Sequence, residues 1–201
     1  ENGSGALTLE DVNFSGIDIS VVGVYWGGLL ITSGDLTLSR VNATGNSFTS
    51  TGDIDVFSMD GVSGVAVLTD VVVSGTTIVA TANGGCGVFC TYDTTATRVT
   101  VDGTSYTGNG TCGIFCSSDV TFVDSQITNF TVTDSSGSGD CGVFCSSDVI
   151  MSGSTVADFT VTVTGGGGSC GVFCSSDVTM TSSSVTRSTM TAGRYVCGVF
   201  C

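Results

Sequence analysis

Ten cysteines are the most reactive side chains of this 201-residue chain, and all ten fall in one repeated pentapeptide. Cys-Gly-Val/Ile-Phe-Cys occurs at Cys86–Cys90, Cys112–Cys116, Cys141–Cys145, Cys170–Cys174 and Cys197–Cys201, with starts 26, 29, 29 and 27 residues apart. Disulfide formation is the first chemistry this suggests. In an extended motif the two cysteines share strand parity and stand ~13 Å apart, too far to bridge. A bend at the motif glycine would let each motif close its own bridge. Equivalent cysteines on stacked units ~4.8 Å apart also fall within disulfide reach. Bridging within each motif uses every cysteine, whereas pairing along a column of five strands one. Bridges within the motif are therefore expected, with a column of reduced, packed thiols as the alternative. Zinc needs four ligands in tetrahedral array, commonly as Cys-x2-Cys pairs or with His. This chain has three residues between its cysteines and no His, so zinc is not expected, and an iron–sulfur ladder is the remaining metal alternative.

Three further columns repeat at the same period. Asp93, Asp119, Asp148 and Asp177 open successive units, three of them within Ser-Ser-Asp-Val. Stacked carboxylates repel one another, and Ca²⁺ could bridge them through oxygen ligands. The expectation is instead that each Asp closes its own corner by accepting backbone N–H groups, as in an Asx-turn, leaving Ca²⁺ as the weaker candidate and no other cofactor. Ser105-x-Thr107, Thr131-x-Thr133, Thr160-x-Thr162 and Thr189-x-Thr191 would set two rows of hydroxyls on one face. Tyr25, Phe57, Phe89, Phe115, Phe144, Phe173 and Phe200 form an aromatic column, expected to turn inward as a stack because an exposed one would be a large apolar patch.

The elements that position these columns are short strands. A fixed period of 20–50 residues marks an array in which each unit buries its apolar face on its neighbours. Residues 117–145 contain three runs of alternating apolar residues: Val120/Phe122, then Ile127/Phe130/Val132, then the Cys motif. Thr, Val and Phe favour strands, and no apolar stripe of helical period persists. The first 90 residues fit the same frame without cysteine. Ala6–Leu9, Asp35–Leu38 and Val65–Leu68 match the opening strand, while Val22–Trp26 and Ile54–Ser58 take the place of the motif. The chain is expected to be one all-β domain, a parallel β-solenoid of about seven coils with three short strands each. Its coils would run 1–26, 27–59, 60–90, 91–116, 117–145, 146–174 and 175–201. At ~4.8 Å per coil the rod would be roughly 34 Å long.

Coil length and the Gly-x-Leu-Thr-Leu and Gly-Val-Phe columns resemble the right-handed parallel β-helix, as in pectin-lyase-like proteins and polymorphic outer-membrane surface repeats. The resemblance is architectural and implies a fold, with no catalytic motif to carry over. The paired Thr rows resemble the faces of β-solenoid ice-binding proteins.

Composition narrows the partners. Eighteen acids against four Arg, with no Lys, give a net charge of -14. Such a surface repels nucleic acid and anionic membranes. No run approaches the ~20 apolar residues of a membrane-spanning helix. Regular cysteines and five Asn-x-Ser/Thr sequons, at Asn2, Asn13, Asn42, Asn109 and Asn129, suit a secreted, cell-surface glycoprotein whose signal peptide has been removed. An enzyme is not expected, because His and Lys are missing and the carboxylates lie in ladders rather than in one asymmetric pair. The function expected is structural: a rod or subunit of an extracellular surface fibre. The chain stops on a motif, without a capping element, so either a longer rod or end-to-end stacking is expected. Its partner would then be itself, end to end or laterally. The alternative is a binding module that uses the Thr face for ice or the aromatic column for glycan.

Overall fold

A computed structural model of the chain describes residues 5–22, 27–59, 64–81, 86–108, 110, 112–116, 118–134, 141–145, 148–164, 170–175, 177–192 and 197–200. All its regular elements are strands, every pairing between them is parallel, and successive coils stack into a β-solenoid with three sheets. The first sheet stacks Leu7–Glu10, Leu36–Ser39, Val65–Thr69, Asp93–Thr97, Asp119–Val123, Asp148–Ser152 and Asp177–Thr181. The motif sheet stacks Gly27–Thr32, Ile54–Met59, Cys86–Cys90, Cys112–Phe115, Cys141–Phe144, Cys170–Phe173 and Cys197–Phe200. The middle sheet lies between them in the chain. Its coils use two short strands on either side of a corner, for example Thr100–Asp102 and Ser105–Gly108, until these merge into the nine-residue strands Thr155–Val163 and Ser184–Ala192. One expected middle strand is thus two in the earlier coils.

Period-two alternation does the work the sequence implied. In the first sheet Leu36, Leu38, Ala66, Leu68, Val120, Phe122, Val149 and Met151 point into the core, and their neighbours, polar ones together with Val65, Val67 and Ile150, face out. The Phe column turns inward. Phe57, Phe89, Phe115, Phe144 and Phe173 are buried and stack face to face, with ring centroids 4.9–5.5 Å apart. Phe122 meets Phe115 and Phe144 edge-on from the opposite sheet, filling the space across the core.

The first coil closes later than the sequence implied. Gly27–Thr32 pairs with Ile54–Met59, setting Gly28 against Asp55 and Leu30 against Phe57. Leu30, not Tyr25, therefore starts the aromatic column, and the boundary at 26/27 moves beyond this strand. Val22 is exposed, and Tyr25 and Trp26 lie outside the described residues. The run at 22–26 mimicked the motif, but it is Gly28 that sits against the second coil, where a Cβ would lie 2.3 Å from the Asp55 carbonyl oxygen.

Two corners flank the middle sheet, and each places one residue per coil in the left-handed region. Asp11, Arg40, Asp70, Arg98, Asp124, Gly153 and Ser182 form the first column, with φ between 47° and 58°. Gly16, Gly45, Gly75, Gly103, Asn129, Asp158 and Arg187 form the second. Gly, Asn and Asp tolerate this conformation best. Arg at three corners therefore needs another reason, and the ion pairs described below supply it.

Candidate functional site

The position-five cysteines sit on the glycine column rather than bridging to position one. The motif strands run in register, so that the Cys116, Cys145 and Cys174 N–H groups donate to the Phe89, Phe115 and Phe144 carbonyls of the preceding coil. Each sulfur folds back over the motif glycines. A Cβ on Gly87 would lie 2.6 Å from the Cys90 sulfur and 3.4 Å from that of Cys116. One on Gly113 would lie 3.1 Å from the Cys145 sulfur, and one on Gly142 only 2.3 Å from the Gly171 carbonyl oxygen. Glycine holds position two because the sulfur column and the next coil occupy the space of a side chain.

Cys90, Cys116, Cys145 and Cys174 are half-buried, reduced thiols. The expected bridges within the motifs are not formed at these four positions. The motif bends between its glycine and position five, since a Cβ on Gly87 would lie 2.6 Å from the Cys90 sulfur three residues on, and this turns the sulfur over the glycine column. The side chains of Cys86, Cys112, Cys141, Cys170 and Cys197, and the whole of Cys201, lie outside the described residues. Side-chain hydrogen bonds join Cys90 with Cys116, Cys116 with Cys145 and Cys145 with Cys174. Bonding to Cys116 is the chief cause that raises the Cys145 thiol pKa, followed by Cys174 and burial.

Asp55 ends this ladder. It occupies the glycine position of the second coil, opposite Gly87, and its carboxyl is buried. The Cys90 thiol donates to Asp55 Oδ1 at 2.8 Å, and the Gly87 backbone also hydrogen-bonds to this carboxyl. Burial pushes the Asp55 pKa up to about 8, against the opposing pull of the Cys90 hydrogen bond. The Cys90 thiol is raised too, first by its bond to Cys116, then by burial and by the charge of Asp55. Aligning Ile54–Ser58 on the Cys motif already puts Asp55 on the glycine column. That a side chain in this column meets the sulfurs follows only from how the coils stack.

A second site lies on the first corner, where sequence reasoning found only scattered Arg. Arg40 forks onto Asp11 of the preceding coil, with Nε to Oδ1 at 2.6 Å and a terminal nitrogen to Oδ2 at 3.0 Å, and it also pairs with Glu10. Arg98 grips Asp70 in the same way at 2.6 and 2.8 Å. On the second corner Arg187 makes the equivalent fork to Asp158. Hydrogen bonds from the guanidinium hold Asp11, Asp70 and Asp158 below the ordinary carboxylate pKa. The detectable signal was an Asp–Arg pair separated by one coil. A polar groove of about 340 Å³, lined by Arg98, Thr100, Asp124, Gln126 and Thr155, opens beside this corner.

The remaining columns are brought into register as stacked rows. Asp119, Asp148 and Asp177 are exposed neighbours on adjacent coils, and Asp93 stands on the coil before them. Asp119 accepts the Asp148 N–H at 3.2 Å, and Asp35 accepts the Val65 N–H at 2.9 Å. These carboxylates bind the backbone of the next coil, where the expected Asx-turn would have kept the bond within their own. Among the described residues no group of three or more Cys, Asp or Glu is arranged to hold a metal ion. Ser105, Thr131, Thr160 and Thr189 align, as do Thr107, Thr133, Thr162 and Thr191. Of the sequons, Asn13 and Asn42 are exposed and directly paired, and Asn129 is exposed at a corner with its Nδ2 on Asp102 at 2.8 Å. Asn2 and Asn109 lie outside the described residues.

No known protein family, curated protein or solved structure matches this chain.

Proposed function

We propose that the chain is a structural rod of an extracellular surface fibre, glycosylated and stabilised through its cysteines, which assembles by end-to-end stacking of coils. The observation that carries this reading is the uniformity of the columns. The aromatic stack, the two left-handed corners and the two outer sheets pass from coil to coil in register. The upper face of one coil is thus complementary to the lower face of another, and joining two copies needs only the contacts already made inside one. Such a contact is heterologous and open-ended, which gives filaments rather than closed oligomers. A catalytic centre would break the repeat with an asymmetric cluster of acid and base, whereas here Asp93, Asp119, Asp148 and Asp177 recur at one position of successive coils and the buried Asp55, which departs from its column, faces a thiol; the reading is therefore non-catalytic. A net charge of -14 keeps rods apart laterally and favours growth along the axis. The exposed Asn13 and Asn42 would carry glycans on neighbouring coils of one face.

The two in-register Thr rows favour a second reading, a binding module presenting them to ice or glycan. Electron microscopy of native material at submicromolar dilution separates the two. Filaments of uniform width are expected. Isolated particles roughly 34 Å long, together with thermal hysteresis, would replace the fibre with the binding module.

A further inference from the structure

We propose that the position-five thiols are an oxidisable column, in which a small-molecule disulfide links Cys90 to Cys116 and Cys145 to Cys174 across adjacent coils. This goes beyond the structural reading and holds whether or not rods join into filaments.

Three observations carry it. First, the four cysteines are reduced and belong to half-buried residues. Secondly, the coils hold them in register: the Cys116 and Cys174 N–H groups bond to the Phe89 and Phe144 carbonyls, the residues just before Cys90 and Cys145. Neighbouring coils ~4.8 Å apart place equivalent Cα atoms inside the range a disulfide spans. The sulfurs of Cys90 and Cys116 already converge on one glycine, Gly87. Thirdly, the column has a proton acceptor at one end only. Asp55 Oδ1 accepts a hydrogen bond from the Cys90 thiol at 2.8 Å, and the equivalent position on the next three coils is glycine. This asymmetry selects Cys90 as the entry point and fixes the phase of the pairing.

The chemistry balances with oxidised glutathione as the oxidant. Above about pH 8, where Asp55 is ionised, Cys90 passes its proton to that carboxylate, and the thiolate attacks one sulfur of the reagent. An S–S bond to Cys90 forms, and one glutathione thiolate leaves. Cys116 then loses its proton to solvent and attacks the Cys90 sulfur, forming the Cys90–Cys116 bond and expelling the second glutathione thiolate. Two protein thiols are oxidised and one glutathione disulfide is reduced. A second equivalent closes Cys145–Cys174 by the same exchange. Each bridge would tie one coil to the next along the rod axis, a direction otherwise held by backbone hydrogen bonds, packing and side-chain contacts such as the Arg98–Asp70 pair.

The test is native oxidation of the intact chain with oxidised glutathione, an acid quench, and peptic mapping by mass spectrometry. Cross-coil peptides joining Cys90 to Cys116 and Cys145 to Cys174 are expected. Bridges between Cys86 and Cys90, a Cys116–Cys145 bridge, thiols that stay reduced, or glutathione adducts that persist in the wild type each overturn the proposal. Cys116→Ser is expected to trap glutathione on Cys90 while Cys145–Cys174 still closes, which also reports that the variant is folded. Asp55→Asn is expected to slow loss of the Cys90 thiol at least several-fold while Cys145–Cys174 closes at the wild-type rate. Equal slowing of both pairs would remove Asp55 from the mechanism.

Discussion

On the first corner Asp70 meets Arg98 in water, whereas in the motif sheet Asp55 meets Cys90 with no cation beside it. Both aspartates reach to the next coil, and both acquire their partner from the same repeat. Their chemistry diverges because of where the coil puts them. At the exposed corner a guanidinium forks onto the carboxylate, favours the charged form and pulls its pKa down. In the buried column desolvation outweighs the thiol and backbone hydrogen bonds, and the pKa rises to about 8. A ladder in water can therefore be built from alternating charge, and a ladder in the interior must be built from weak donors that share protons. Thiols suit the second case, since an S–H is a small, weakly polar donor that packs like a hydrophobe.

The largest effect expected from this difference is on stability against pH. Asp55 holds its proton in the folded chain up to about pH 8 and loses it near ~4 once unfolded. The folded state then binds the extra proton between these values, so this contribution is fully present below about pH 4 and is lost as pH rises toward 8. At 1.36 kcal/mol per pKa unit the loss is on the order of 5 kcal/mol across the window. Asp11, Asp70 and Asp158 act with the opposite sign, because their lowered pKa values give stability that disappears as pH falls below the ordinary carboxylate range. Urea unfolding over a pH series should show a decline from pH 4 to 8 that Asp55→Asn removes. An identical decline in the variant would mean that the buried acid is not its source.

The glycines sharpen the same contrast. Gly142 in the motif sheet has no room for a methyl group, because a Cβ would lie 2.3 Å from the Gly171 carbonyl oxygen. Gly45 on the second corner has open space but a φ of +60°. Gly142→Ala is expected to cost ~3 kcal/mol through forced separation of coils, and Gly45→Ala ~1 kcal/mol through backbone strain alone. Thermal melts of the two variants should keep that order. A reversal would show that the coils separate more easily than the corner tolerates a side chain.

The parts of the architecture that were legible are those set by one coil read alone. Val120/Phe122 and Ile127/Val132 alternate within their own strands, and the column of Phe89, Phe115 and Phe144 repeats plainly enough to place it in the core. Features that depend on how one coil sits on the next were hidden. The Asp70–Arg98 pair is 28 residues apart, and its meaning follows only when both residues are known to occupy the same corner. The cysteine pairing failed for a related reason. Counting cysteines weighed which bridges use all ten, while the fold turns the position-five sulfurs onto the glycines of their own and neighbouring coils. The first coil was misplaced because Val22–Trp26 matches the motif closely, with Gly23 at position two, whereas pairing with Ile54–Met59 puts Gly28 on the glycine column.

The smallest effect belongs to the corner itself. Arg98 occupies a left-handed conformation with φ of 52°, where a non-glycine residue carries strain, and it offsets that strain by gripping Asp70. Arg98→Gly removes the ion pair and the strain together. The two changes oppose each other, and the ion pair is exposed and screened by salt. The melting temperature should therefore move by less than about 2 °C at physiological ionic strength. Arg98→Val removes the ion pair and leaves a β-branched residue in the same strained conformation, so it should melt clearly lower than Arg98→Gly. Repeating both melts in 1 M salt separates the contributions. Salt should shrink the gap between wild type and Arg98→Val, because the wild type loses its ion pair, and leave the gap between the two variants unchanged, because backbone strain does not respond to ions. A gap between the variants that collapsed in salt would return the corner to electrostatics and erase the distinction between the two ladders.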